Sequence, residues 1–69
     1  MANALPLEYL LDDAAALTQE GKLLHAAQLY RRITIADPSV EQAWIRLAQI
    51  YVSSGQPVAA ERILLEGLR

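Results

Sequence analysis

The chain has 69 residues, a formal net charge of −2 and no cysteine, and 54% of its residues are hydrophobic. It lacks a basic block that would neutralise a run of phosphates and any cysteine for a disulfide or zinc site, so we expect neither nucleic acid nor metal as a partner. It also lacks a signal peptide pattern and a run of about eighteen apolar residues, so we expect one small cytoplasmic domain away from membranes.

The first of four predicted helices covers Leu7 to Gln19, in a chain rich in alanine and leucine, which favour helix. Its apolar residues recur at the spacing of three and four that marks one helical face. They are Leu7, Leu10, Leu11, Ala14 and Leu17. Pro6 suits a first turn, and Gly21 can adopt the left-handed conformation that ends a helix.

The second predicted helix covers Leu23 to Ala36. It continues the same spacing through Leu24, Ala27, Tyr30 and Ile33. It should end before Pro38, because a proline disfavours the helical conformation at the preceding residue, here Asp37.

The third helix is predicted to begin at Ser39, whose hydroxyl can cap it while Gln42 reaches back in a capping box. Its predicted buried stripe consists of Trp44, Leu47, Ala48 and Tyr51. Gly55 should end this helix, and Pro57 should begin a fourth that runs toward Arg69. Because the loops are short, neighbouring helices should be antiparallel.

The chain also repeats itself. A shift of thirty-four residues superimposes Glu20 to Arg32 on Ser54 to Glu66 and keeps the size or polarity class at most positions. In this register Gly21 falls on Gly55, Ala26 on Ala60, Leu10 on Trp44 and Ala14 on Ala48. Periods of this length are typical of stacked helical repeats.

These residues and their spacing resemble the tetratricopeptide repeat. In the first copy the matching residues are Leu10, Ala14, Leu17, Gly21, Ala26, Tyr30 and Pro38. In the second copy they are Trp44, Leu47, Ala48, Tyr51, Gly55 and Ala60. The resemblance spans about Leu7 to Arg69 and implies an all-α fold, with two antiparallel helix-turn-helix repeats stacked as a short α-solenoid.

The resemblance also implies how the chain is divided. Residues 1–69 would form a single domain, with repeat one at about 7–40 and repeat two at about 41–69, the second being incomplete at its C-terminal end. Asp13 departs from the pattern, because the family usually has leucine there and the second copy has Leu47. We interpret Asp13 as a feature of a terminal repeat on which nothing stacks.

No residue pattern in the chain indicates catalysis. His25 is the one histidine and has no partner for a metal site. Lys22 is followed by leucine, so it does not complete a phosphate-binding loop. Asp12 and Asp13 are adjacent on a helix and point about 100° apart, so they do not converge on one substrate atom. We therefore expect no enzyme activity and no cofactor.

The resemblance implies that a partner protein binds the concave surface formed by the first helix of each repeat. The positions implied are Leu11, Asp12, Ala15 and Thr18 in the first copy and Ile45, Arg46, Gln49 and Val52 in the second. Some family members use lysine and asparagine at such positions to hold a peptide carboxylate, and this chain does not. An amphipathic helix or an apolar peptide segment fits the apolar residues better.

The last helix suggests a second hypothesis, self-association. Ile63, Leu64, Leu65 and Leu68 occupy more of its circumference than one neighbouring helix can bury. We expect Ile63, Leu65 and Leu68 to form the contact of a homo-oligomer, most simply a dimer, or to be covered by further repeats of a longer array. An interaction module, a self-assembly element and, as a distant third, an enzyme thus remain open.

Overall fold

Four α-helices make up the part of the protein that the computed structural model describes, which is residues 7–67. They are α1 (Leu7–Gln19), α2 (Leu23–Ala36), α3 (Glu41–Ser53) and α4 (Pro57–Gly67). No strand occurs within residues 7–67, which confirms the all-α prediction. The predicted continuation of α4 to Arg69 lies outside the described residues.

The helices pack in chain order as two hairpins. α1 packs against α2, α3 packs against α4, and α2 joins the hairpins by packing against α3. The largest fully buried side chains are Tyr30, Ile33 and Leu47. Small residues are buried at equivalent positions of both hairpins, which lets the backbones of paired helices approach closely. These residues are Ala14 and Ala26 in the first hairpin and Ala48 and Ala60 in the second.

The first helix of each hairpin ends in the same way. Gly21 and Gly55 have φ angles of 79° and 76°, the left-handed conformation that glycine adopts without strain. Lys22 N donates to Leu17 O at 2.9 Å, and Gln56 N donates to Tyr51 O at 2.8 Å. Each bond spans the turn in a Schellman motif and satisfies a carbonyl that the helix leaves free. The predicted glycine helix ends are therefore confirmed.

Gly55→Ala is expected to lower the free energy of unfolding by about 1 kcal/mol, because an alanine Cβ disfavours the left-handed conformation. Nothing lies within 4 Å of the Cβ position, so the loss arises from the backbone alone. Urea denaturation monitored by circular dichroism measures it. Gly55→Asn is the matched control and should lose less, since asparagine tolerates this conformation better. Equal stability of Gly55→Ala and the wild type would contradict this account.

The turn between α2 and α3 differs from the prediction. Ser39 directs both its backbone N–H (3.1 Å) and its hydroxyl (2.6 Å) to Asp37 Oδ1. The residue that precedes α3 is Val40, and no side chain caps this helix. The predicted Ser39 cap and its capping box with Gln42 are therefore wrong, because the serine lies one residue too early and its hydroxyl is engaged within the turn.

The same turn predicts a pH-dependent signal. The hydroxyl of Ser39 and, secondarily, its backbone N–H hold the pKa of Asp37 below its ordinary value. A lowered pKa means that the turn is favoured above the unfolded-state pKa of about 3.9, and that this contribution is lost as pH falls through the folded-state pKa. Ser39→Ala should raise the Asp37 pKa in an NMR titration of its carboxyl carbon. Ser54→Ala, in the exposed turn between α3 and α4, is the control and should leave the Asp37 pKa unchanged.

Trp44 connects this turn to α4. Its indole N–H donates to Pro38 O at 2.8 Å. Its ring lies against Gly67, where an added Cβ would come within 2.5 Å of Trp44 Cγ. The first turn of α3 is therefore held to the α2–α3 turn and to the end of α4, so that α3 has a defined orientation between them.

Candidate functional site

The predicted binding residues lie along α1 and α3. The structure leaves Asp12, Ala15, Ile45, Arg46, Gln49 and Val52 exposed. Leu11 and Thr18 are partly buried. Most of the side chains that the resemblance selected are thus accessible, while two of the α1 positions are partly covered.

A small cavity lies between the two hairpins. It has a volume of about 140 Å³ and is lined by Thr18, Leu23, Arg46, Gln49, Ile50 and Ser53. Within it Arg46 Nη1 donates to Gln49 Oε1 at 3.2 Å, which aligns two predicted binding residues along α3. Thr18 Oγ1 donates to Ala14 O at 2.8 Å, one turn back on its own helix. The structure therefore brings Thr18 of the first copy together with Arg46 and Gln49 of the second.

A larger depression, which we call the α3–α4 groove, has a volume of about 550 Å³. Its lining consists of Ile45, Ala48, Gln49, Val52, Ser53 and Leu64. The apolar side chains of Ile45, Val52 and Leu64 dominate it, and Gln49 and Ser53 supply the polar groups at its side. This composition suits a segment that is apolar on one side and polar on the other.

Leu64 is a groove residue that the sequence analysis missed. It was grouped with the outer stripe of α4, whereas it also faces Ile45 and Trp44 across a second cavity of about 80 Å³. The available signal was the repeat register, in which Leu64 falls on Tyr30, a buried residue of the first copy. By contrast, Leu11, Asp12 and Ala15 line none of these three cavities.

The groove has little electrostatic patterning. Asp12 and Arg46 occupy equivalent positions in the two copies and carry opposite charges on exposed side chains. The ion pair found within residues 7–67 lies away from the groove, in the turn between α1 and α2, where Lys22 Nζ and Glu20 Oε1 are 3.4 Å apart. Its side chains are well exposed, so it contributes little to stability. The α3–α4 groove is therefore mainly apolar in its chemistry.

The surface of α4 corrects part of the self-association prediction. Ile63 is only 4% exposed and packs in the core, so it does not belong to an exposed contact surface. Leu65 is 63% exposed, and Val58, about two turns earlier on the same face, is similarly exposed. Leu68 lies outside the described residues. The apolar surface of α4 is thus narrower than predicted, because the helix turns Ile63 inward against its neighbours.

The predicted stripe of α2 needs a similar correction. Ala27, Tyr30 and Ile33 are buried as predicted, but Leu24 is among the most exposed apolar side chains of the protein. Leu24 borders a cavity that is also lined by Gln28 and Arg31 of its own helix and by Tyr51 of α3. Its counterpart Val58 is also exposed, so this repeat position faces outward in both hairpins.

Within residues 7–67, no three or more histidine, cysteine, aspartate or glutamate side chains form a group that could hold a metal ion. His25 is exposed near the start of α2. In the same part of the chain, each helix is too short or too polar to cross a membrane. The geometry that the structure does offer is a shallow, mainly apolar groove.

Comparison with known proteins adds one finding. A family model described as the tetratricopeptide repeat matches residues 17–69. Neither the curated proteins nor the solved structures contain a match to the chain. The matched range begins at the end of α1 and includes α2, α3 and the described part of α4, so the whole α3–α4 groove lies within it.

Proposed function

The chain belongs to the tetratricopeptide repeat family, and from this premise we propose that it binds a partner protein through the concave surface of α1 and α3. The family consists in general of protein interaction modules that perform no catalysis. In this proposal the protein is a scaffold or adaptor without enzyme activity or cofactor. It acts in the cytoplasm, and residues 1–69 form one domain of two repeats, at about 7–40 and 41–69.

The observation that supports the proposal is the apolar surface of the α3–α4 groove. Ile45 is 47% exposed and Val52 is 58% exposed. They lie two turns apart on one face of α3, so both contribute to the same surface. Contiguous apolar surface of this kind on a small protein is typical of an interaction site. The bound segment is a helix or an apolar peptide, with polar groups placed to meet Arg46 and Gln49.

Selection of peptides from a displayed library, followed by titration calorimetry, tests this proposal. Peptides selected on the wild-type chain should bind the Ile45→Lys variant at least tenfold more weakly, because a lysine places a solvated charge in the groove. Ile35→Lys on α2 is the matched control, since Ile35 is more exposed than Ile45 and lies outside the groove. Its affinity should stay within twofold of the wild type.

Two results would contradict the proposal. One is selection of no peptide at all, and the other is selection of peptides that Ile45→Lys and Ile35→Lys affect equally. Circular dichroism must show that both variants keep the helical content of the wild type, so that a loss of affinity reports the groove and not unfolding.

A second candidate function is self-association through α4, favoured by the exposed pair Val58 and Leu65. In this alternative the chain forms a homodimer, or its α4 is covered by further repeats of a longer protein. Sedimentation at several concentrations should show a mass that rises toward a dimer, and Leu65→Glu should abolish the rise. Leu24→Glu, an equally exposed site on α2, is the control. A monomer mass at every concentration would reject this alternative.

A further inference from the structure

One face of the hairpin is covered in the first hairpin and exposed in the second. Three pairs of residues related by the repeat register show this: Leu11 with Ile45, Thr18 with Val52, and Tyr30 with Leu64. In every pair the first-hairpin member is the more buried, and Tyr30 is 2% exposed against 37% for Leu64. We call the exposed set Ile45, Val52 and Leu64 the open end.

The helix that accounts for this difference is α3, which packs on α2 and borders Thr18. It presents Ala43, Leu47 and Ile50, all buried, at spacings of four and three. Ile50 lines the cavity that α3 shares with Thr18 and Leu23, and Leu47 and Ala43 lie one turn and two turns before it on the same helical face. We therefore assign a small residue, a leucine and an isoleucine, in this order, to the face of α3 that closes the first hairpin. The open end lies at the equivalent place in the second hairpin, with Glu61 in place of Ala27 and Gly67 in place of Ile33, and no helix among residues 7–67 packs on it.

We propose that the open end binds one amphipathic helix of a partner protein, seated on the second hairpin as α3 is seated on the first. The partner helix carries a small residue, then leucine four positions later and isoleucine three positions after that. This inference rests on the proposed function and names the chemistry of its partner.

A second copy of this chain does not supply that helix from its α1. The α1 residues equivalent to Ala43, Leu47 and Ile50 are Tyr9, Asp13 and Ala16. Asp13 would place a carboxylate where α3 has a fully buried leucine, and an unpaired buried charge is strongly unfavourable. Tyr9 would place a bulky ring where α3 has a buried alanine.

One charge at the open end specifies the partner further. In the first hairpin, Ala27 of α2 and Tyr51 of α3 line a common cavity. In the second hairpin Glu61 takes the place of Ala27 and is exposed. A lysine or arginine four residues after the partner's leucine would occupy the place of Tyr51 and approach this carboxylate. The partner helix is therefore expected to be basic at that position.

The probe that tests the inference is a synthetic peptide with the sequence of residues 39–53 of this chain, blocked at both ends, fluorescently labelled and carrying Tyr51→Lys. Titration with the full chain, followed by fluorescence anisotropy, should show saturable binding. A peptide that also carries Leu47→Asp should bind at least tenfold more weakly. Replacing the lysine with glutamate should weaken binding by roughly twofold to fivefold, the range of an exposed ion pair.

Variants of the protein locate the binding site. Val52→Lys should weaken binding of the peptide at least tenfold, and Ile35→Lys should leave it unchanged. Glu61→Gln should remove the difference between the lysine and glutamate peptides. Undiminished binding to Val52→Lys, which would mean that the peptide displaces α3 or binds elsewhere, overturns the inference. Equal affinity of the peptides with leucine and with aspartate at position 47 also overturns it.

The two proposals can fail separately. If the α3-derived peptides do not bind but library peptides still depend on Ile45, the open-end inference is wrong and the proposed function stands. If no library peptide depends on Ile45 while the α3-derived peptide binds and depends on Val52, the broader groove proposal is wrong and the helix-binding open end stands.

Discussion

Leu47→Asp is expected to unfold the protein at neutral pH. Leu47 of α3 is fully buried and belongs to the hydrophobic core. Truncating such a leucine costs about 2–5 kcal/mol, and a buried unpaired carboxylate adds several more. A chain of this length has a total stability of only about 3–10 kcal/mol, at about 0.05–0.15 kcal/mol per residue. Circular dichroism should therefore show the loss of most helix, and NMR should show collapsed amide dispersion.

The repeat supplies the control for this experiment. Asp13→Leu makes the reverse exchange at the equivalent position, where the side chain is exposed on α1. Its effect should stay within about 0.5 kcal/mol of the wild type, with a slight gain because leucine favours helix more than aspartate. A folded Leu47→Asp variant with an unchanged denaturation midpoint would show that α3 does not pack as described.

Tyr30→Ala is expected to lower the free energy of unfolding by about 3–5 kcal/mol. The tyrosine ring fills space between α2 and its neighbours, and removing a buried aromatic side chain leaves a cavity as well as losing apolar contact. Urea denaturation followed by the fluorescence of Trp44 measures the change. In so small a protein this loss should bring the midpoint close to zero denaturant.

Leu64→Ala, at the equivalent position of the second hairpin, should cost at most about 2 kcal/mol, because Leu64 is already partly exposed. The comparison measures how much of the Tyr30 contribution depends on being covered by α3. Equal losses for the two variants would contradict the assignment of the open end.

Much of the fold was predictable because the signals that specify it are local. Gly21 and Pro38 delimit α2, and the predicted bounds of α1 and α2 agree with those observed. The start of α3 was not predictable in the same way. A serine before a helix can cap the helix or hydrogen-bond to a preceding aspartate. As a cap, Ser39 would start α3 at Val40; because it bonds to Asp37 instead, α3 starts one residue later, at Glu41.

The sequence predicted that α3 contributes to the candidate site, but it predicted less well which individual residues line the groove. The resemblance to the repeat family selected Ile45, Gln49 and Val52 on α3, and the structure brings them together in one groove. Leu64 was missed and Ile63 was misplaced, because both are apolar residues of a short helix with apolar positions on several sides. Which of them points inward depends on where α3 lies, and periodicity within α4 does not specify that.

The amino-acid sequence by itself determined the helices, their glycine ends and the duplication, because these follow from spacing and from the conformations that single residues allow. Only the tertiary structure decided at which repeated positions one copy is covered and the other exposed. Tyr30 and Leu64 occupy the same place in their hairpins, and both are apolar. Their exposure differs because α3 lies against the first hairpin, and burial depends on the neighbouring helix as much as on the residue itself.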